Sequence, residues 1–502
     1  MQPRVRSLIA SALLLAAGGV SAQDLRIGYA DPVSSLDPQL NNYAGDRSVA
    51  LHAFESLVNR HDDKTLPGLA KSWKVLDPTT WQFDLRDDVK WQDGTPLTAD
   101  DFVFSFERAR NVPGSVASYA GATRTVESVQ AKDAHTLLIK TRTPNANLLP
   151  DVDSIYIVSR HAGATASSAD YNSGRALIGT GPYRRNDSYW GAKPTWDKVD
   201  FRFIANAANR TAALLAGDVD VIDKVSPTDV ERLRKTPSVN VFAYQGLRAL
   251  IIQPNEFIRD NSGKPLAQNP LRDVRVRQAL SLAINRQAID QRIMQGTVTE
   301  ANQWMPANTF GYNPQVKNIP YDPKQAKELL AQAGFPDGFQ LTVHVPGDRY
   351  PQAPEAMQAV AQFWTRIGLK VQLEVLPWAV YAGKANKNEL AVSVIAWGNG
   401  TGEAAYALTN ILTTVDSSKG QGASNWGRYS NPLVDKALLD STAEFDEAKR
   451  RKILEYSVKL VSDDVGIIPL FHYQNIWAAR KGLKVEPLVS DRTAALMVTE
   501  QP

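Results

Sequence analysis

LAKSWKVLDPTTWQFDLRDDVKWQDGTPLTADDFVFSFERAR, residues Leu69–Arg110, holds three tryptophans (Trp73, Trp81 and Trp91) and no group suited to catalysis. Within it Trp81, Phe83 and Leu85 alternate with Gln82, Asp84 and Arg86. That period of two predicts a half-buried strand over 80–86. Asp93-Gly94 supplies a turn, and Pro96 bars a further ladder bond. Thr98, with Asp101 three residues on, makes an acidic capping box, and Phe102, Val103 and Phe106 give the next helix, 101–110, one apolar stripe. The stretch is scaffold.

Toward the amino terminus, Asp24–Ala30 reads as a strand ended by a turn at Ser35–Gln39. Downstream come a strand over 136–142, the dense turn Gly179-Thr180-Gly181-Pro182-Tyr183, a strand over 199–204 and a helix over 208–215. The later half changes character. Val274–Ile293 has helical spacing with a break at Asn285-Arg286, and Asp322-Pro323 caps a helix that Gly334 closes. Strand 341–345, helix 355–367, strand 369–376, helix 379–385 and strand 391–397 then alternate, the pattern of an α/β unit with parallel strands. Asn431-Pro432 caps another helix, 448–461 is amphipathic, and Gly466–His472 ends in a run of buried type. With no long flexible linker, the domains are expected to be joined by crossing strands.

Arg4 and Arg6 precede an apolar run from Leu8 to Val20, and Val20-Ser21-Ala22 follows as a small-residue cleavage site. This predicts a signal peptide over 1–22 and an exported protein, because the run falls short of the ~20 residues a spanning helix needs. No cysteine occurs anywhere, which removes disulfides, thiolate metal sites and the lipid-anchoring cysteine. A periplasmic location without lipid anchor follows. The net charge of +3 includes two arginines of the leader, so the remainder is nearly neutral and gives no electrostatic case for a nucleic-acid partner. The six histidines form no i, i+4 pair, no G-x-S-x-G elbow is present, and His61-Asp62-Asp63 reads as a polar turn. No catalytic residue, metal site or cofactor is expected.

Ligands of open α/β sheets sit beyond the carboxyl ends of strands. Strand 391–397 ends at Trp397 and runs into Gly398, Asn399, Gly400, Thr401, Gly402 and Glu403, where alternate glycines bring backbone amides close to a ligand. This loop is the expected binding site. Tyr29, Tyr43, Trp378 and Trp426 join Trp397 as candidate stacking walls.

The Leu69–Arg110 stretch also matches W-x7-W-x-F-x-L-R-x2-V-K-[WF]-x-D-G-x-P-[LF]-T-A-x-D-[VF]-x-[FY]-S, which resembles the periplasmic solute-binding proteins that include dipeptide- and oligopeptide-binding components of ABC importers. Three further blocks resemble that family in its order: GTGPYRRNDSYWGAKPTWDKVDFRFI, RTAALLAGDVDVI and VRQALSLAINRQAI. The resemblance implies an α/β, periplasmic binding protein-like fold, with two α/β lobes around a cleft plus an additional inserted domain. The expected division is 23–54 with 182–258 and 482–502 for the first lobe, 55–181 for the inserted domain, and 259–481 for the last lobe. It implies capture of a small polar solute, a peptide or peptide-like molecule, by a monomer that delivers it to permease subunits in the inner membrane. An opine, a glutathione-like solute, a glycan or heme are the alternatives within the family, and a secreted hydrolase the alternative outside it. An arginine near Arg349 clamps the ligand carboxylate in dipeptide-binding relatives, so Arg349 is the expected clamp here. Those relatives also carry an aspartate just after the matching tryptophan that pairs with the α-ammonium. Here that carboxylate is absent, which favours hydroxyls, amides or a masked amine.

Overall fold

The computed structural model describes residues 24–61, 64–183, 186, 189–258, 268–486 and 492–501. The expected leader with its cleavage site, and Asp62-Asp63, lie outside the described residues.

Among the described residues one nine-stranded sheet runs through both lobes. Its order is Lys370–Leu376, Gln340–Pro346, Val392–Gly398, Val239–Pro254, Ile468–Arg480, Val221–Ile222, Asp24–Tyr29 and Lys198–Phe203, with Val298–Glu300 paired to Ile468–Arg480. The two ends of the sheet are parallel, as the alternation of strand and helix dictates. Its centre is antiparallel. The expected break at Asn285 is real: a helix over Val274–Leu282 stops, and the Asn285 side chain accepts from Ala288 N to start Arg286–Ile289.

Val239–Pro254 and Ile468–Arg480 are longer than any strand expected from the sequence, where the run at Gly466–His472 stopped at His472. They cross from lobe to lobe side by side. Residues 239–245 pair with 474–480 on the first-lobe side, 249–252 pair with 468–472 on the other, and the register shifts between Gln245 and Ala249. Gly246 sits in that break, where a Cβ would stand 2.6 Å from Tyr473 O. Only glycine lets the two backbones approach so closely there.

The inserted domain is a four-stranded antiparallel sheet in the order Ala70–Asp77, Thr80–Leu85, Thr136–Thr141, Val126–Asp133, covered by the helix Ala99–Arg110. Trp81, Phe83, Leu85, Trp91, Phe102 and Phe106 form its core, so the opening stretch builds this domain around itself. Asp101 holds it together: its carboxylate accepts from Thr98 N at 2.9 Å, Arg160 N at 2.8 Å and Trp91 Nε1 at 3.4 Å. Asp101→Ala leaves these donors unanswered in a buried place and is expected to lower stability by about 2 kcal/mol, read by chemical denaturation.

The passages His52–Phe54 and Gly179–Tyr183, which flank the four-stranded sheet in the chain, lie against each other. Gly181 N donates to Ala53 O at 3.0 Å and Tyr183 N to His52 O at 3.0 Å. A Cβ on Gly179 would lie 1.7 Å from Ala53 O. Among the described residues no helix is long and apolar enough to cross a membrane.

Candidate ligand-binding site

Three parallel strands of the last lobe end along one edge, at Pro346, Leu376 and Gly398. The segments that follow them, 347–352, Pro377-Trp378 and 399–403, therefore meet in one place, the position where open sheets bind ligands.

The loop after Trp397 closes on itself. Asn399 N donates to Leu247 O at 2.9 Å, Gly400 N to Gly398 O at 2.9 Å and Gly402 N to Asn399 O at 2.9 Å. The amides that the glycines were expected to offer are thus consumed by the turn, because tight reversal satisfies them internally. What the loop leaves open are side chains. Both amide atoms of the fully buried Asn399, the Thr401 hydroxyl and Trp397 Nε1 are buried without a hydrogen-bond partner. Such atoms each forfeit about 1–3 kcal/mol until something pairs with them. Trp397 lies 5.3 Å from the Tyr406 ring, which follows the loop on the short helix Ala404–Ala407.

Glu403 faces elsewhere. Its carboxylate is ion-paired with Arg450 and lies 3.7 Å from Arg60 Nη1 of the inserted domain. It also stands at the cap position of Ala404–Ala407. Arg450 in turn donates to Asn147 of the inserted domain. The only acid of the loop thus fastens two domains together.

Arg349 is exposed and spreads over the Trp378 ring, with its guanidinium carbon 4.7 Å from the ring centroid. Trp378 stacks on Tyr381 at 5.9 Å and lies 6.4 Å from Trp426. Trp426 is buried and donates Nε1 to Asn386 Oδ1 at 3.1 Å, so its ring belongs to the lobe's core. Tyr29 is buried in the first lobe, where its hydroxyl donates to Ala44 O at 3.3 Å. Tyr43 is exposed and precedes the helix Ala44–Ala50. The structure therefore gathers Trp397, Asn399, Thr401, Trp378 and Arg349 at one edge and sets Tyr29 and Tyr43 on the opposite lobe.

Sequence reasoning missed Arg248. It rises from the crossing strand opposite Gly398, and its Nη1 donates to Ala396 O at 2.8 Å. A Cβ on residue 398 would come within 2.9 Å of Arg248 Nη2, so glycine after Trp397 makes room for this guanidinium. Its charge eases the Tyr350, Tyr406 and Tyr473 phenols, all of which burial pushes up. An arginine inside LRALIIQP, an otherwise buried run, was the available signal.

The profile of the bacterial extracellular solute-binding proteins, family 5 Middle, matches residues 64–419. The chain belongs to this family. A family 5 relative, the dipeptide-binding protein of Escherichia coli (strain K12), is 28% identical over 469 residues, covering 85% of this chain and 84% of that protein. Heme-binding protein A of Haemophilus influenzae is 28% identical over 443 residues, covering 81% and 78%. The solved structure of HbpA2 from Haemophilus parasuis superposes with a TM-score of 0.82 at 25% identity, covering 95% of this chain and 100% of that one. The expected class, two α/β lobes with an additional domain, is therefore the fold of this family 5 protein, and such proteins bind solutes.

Proposed function

We propose that the protein captures a peptide or peptide-like solute bearing a carboxylate in the periplasm and delivers it to the permease of an ABC importer. The carrying observation is that a guanidinium, Arg248, stands opposite Gly398 beside the loop whose buried Asn399, Thr401 and Trp397 polar atoms have no partner. A fork of N–H donors suits a planar carboxylate, and a neutral amide and hydroxyl beside it suit a peptide unit. The dipeptide-binding relative supports the solute class. The leader over 1–22, cleavage after Ala22 and a chain without cysteine support free residence outside the inner membrane. The inserted domain is taken as 55–181, a division supported by the hydrogen bonds between His52–Phe54 and Gly179–Tyr183. Binding selects a closed state, whose shape the permease recognises.

Mass spectrometry of the solute released on denaturing periplasm-purified protein tests this. A carboxylate-bearing peptide-like molecule is expected; heme, seen by its absorbance, or a neutral glycan would sink the reading. Asn399→Ala is expected to weaken the recovered solute about 5- to 30-fold in calorimetry, the worth of one or two hydrogen bonds to a buried amide.

A further inference from the structure

The inserted domain touches the last lobe without leading into it. After Tyr183 the chain runs through the first lobe, and it reaches the last lobe along Val239–Pro254. Direct contacts nevertheless close the seam between the two. Ala146 N donates to Thr442 O at 2.8 Å, and Arg124 Nη1 donates to Gly420 O at 3.0 Å. Phe445 of the last lobe packs against the core of the inserted domain, with its ring centroid 6.0 Å from that of Trp81. Buried in the same seam is the charge cluster, where Glu403 stands between Arg450 of its own lobe and Arg60 of the strand Val58–His61. The three side chains are 8–9% exposed.

This cluster forms the foot of the ligand loop. Glu403 ends the segment 399–403, and the last lobe braces it from within. Phe310 N donates to Gly402 O at 3.0 Å, Ala404 N donates to Phe310 O at 2.9 Å, and the Arg450 guanidinium lies 4.8 Å from the Phe310 ring centroid. Glu403, Arg450 and Phe310 thus make one piece with the loop that carries Asn399 and Thr401. Arg60 arrives from the other side. Its Nη1 donates to Thr65 Oγ1 at 3.3 Å inside its own hairpin, so the inserted domain itself holds it in place. Across the seam the same nitrogen reaches Glu403 at 3.7 Å, an ion pair without a hydrogen bond. Such a contact forms when two surfaces approach and is lost whole when they part.

Resting on the proposed solute capture, we propose that Arg60 is a positioning residue: it latches the inserted domain onto the foot of the ligand loop when the cleft shuts, and so slows release of the solute. The strands that join the lobes shift register between Gln245 and Ala249, and a swing of the last lobe about that level parts surfaces that no strand links. The seam then opens at Arg60 while the Glu403–Arg450 pair stays whole. Solute on Asn399 and Thr401 and Arg60 on Glu403 act on the same short loop, so each favours the other.

The chain has no cysteine, so Leu76→Cys in the inserted domain and Leu439→Cys in the last lobe, both at exposed positions, take one pair of nitroxide labels. Pulsed double electron resonance on the mature protein reads their separation with and without Ala-Ala. A short separation that Ala-Ala fills is expected, and Arg60→Met is expected to deplete it about tenfold relative to the long one, with or without the dipeptide. In stopped-flow fluorescence that variant is expected to release Ala-Ala about tenfold faster, with association and the solute-free melting temperature unchanged. Arg60→Lys, which keeps the charge, is expected to restore slow release. Gly420→Ala, whose Cβ would stand 1.9 Å from Arg124 Nη1, unseats the neighbouring contact and is expected to shift the separations the same way. Wild-type separations in Arg60→Met overturn the latch. So does a lowered melting temperature with unchanged release, the mark of a pair formed in every state. If Ala-Ala and longer peptides fail to bind while the solute-free separations still respond to Arg60→Met, peptide capture falls and the latch stands.

Discussion

Replacing Arg248 with methionine is expected to weaken a peptide with a free carboxyl terminus by two to three orders of magnitude, about 3–4 kcal/mol. The guanidinium is half-buried beside the closed turn at Gly398 and already shares its Nη1 with Ala396 O. Its second nitrogen, Nη2, lies in the space that a Cβ on residue 398 would take. A bound carboxylate would pair there away from bulk water, where truncation leaves it uncompensated. Methionine keeps the aliphatic stem and so isolates the charge. Arg349→Ala gives the contrast: that side chain is exposed over Trp378, and a stacked surface cation contributes only about 0.5–1 kcal/mol. Titration calorimetry of both variants decides between the two arginines. An Arg248→Met protein within threefold of wild type would remove Arg248 from the site.

Gly179→Ala is expected to destabilise the protein by more than about 3 kcal/mol. The added methyl would land 1.7 Å from Ala53 O, a backbone atom that no rotamer change can move. Relief requires prying apart the passages held by Gly181 N and Tyr183 N. Thermal denaturation followed by tryptophan fluorescence reads this, and the Trp81 and Trp91 core of the inserted domain should loosen first. A variant melting within two degrees of wild type would show that the passages are free to separate.

The sequence made the local elements legible where side chains alternate with solvent. Thr80–Leu85, the cap at Thr98 and the α/β alternation from Gln340 to Gly398 stand close to where periodicity put them. The second half of Val239–Pro254 escaped because Ala249–Pro254 is buried on both faces and leaves no alternation to read. The same blindness hid Arg248. Position after a strand was enough to point to Asn399 and Thr401, yet the use of the loop's amides depends on turn geometry that spacing does not encode. Glu403 shows the limit most clearly, since its partners Arg450 and Arg60 come from distant parts of the chain. No local pattern announces such a triad.

The two strands that join the lobes are hydrogen-bonded neighbours whose register shifts between Gln245 and Ala249 and again between Leu250 and Ile251. Sliding one half past the other would tear the paired stretches on both sides, whereas tilting at the wider shift strains Gly246–Arg248, which pair with no residue of Ile468–Arg480. Bending there costs the fewest ladder bonds, so a swing of one lobe about that level is the expected motion. A transporter that measures that angle alone can tell a loaded carrier from an empty one.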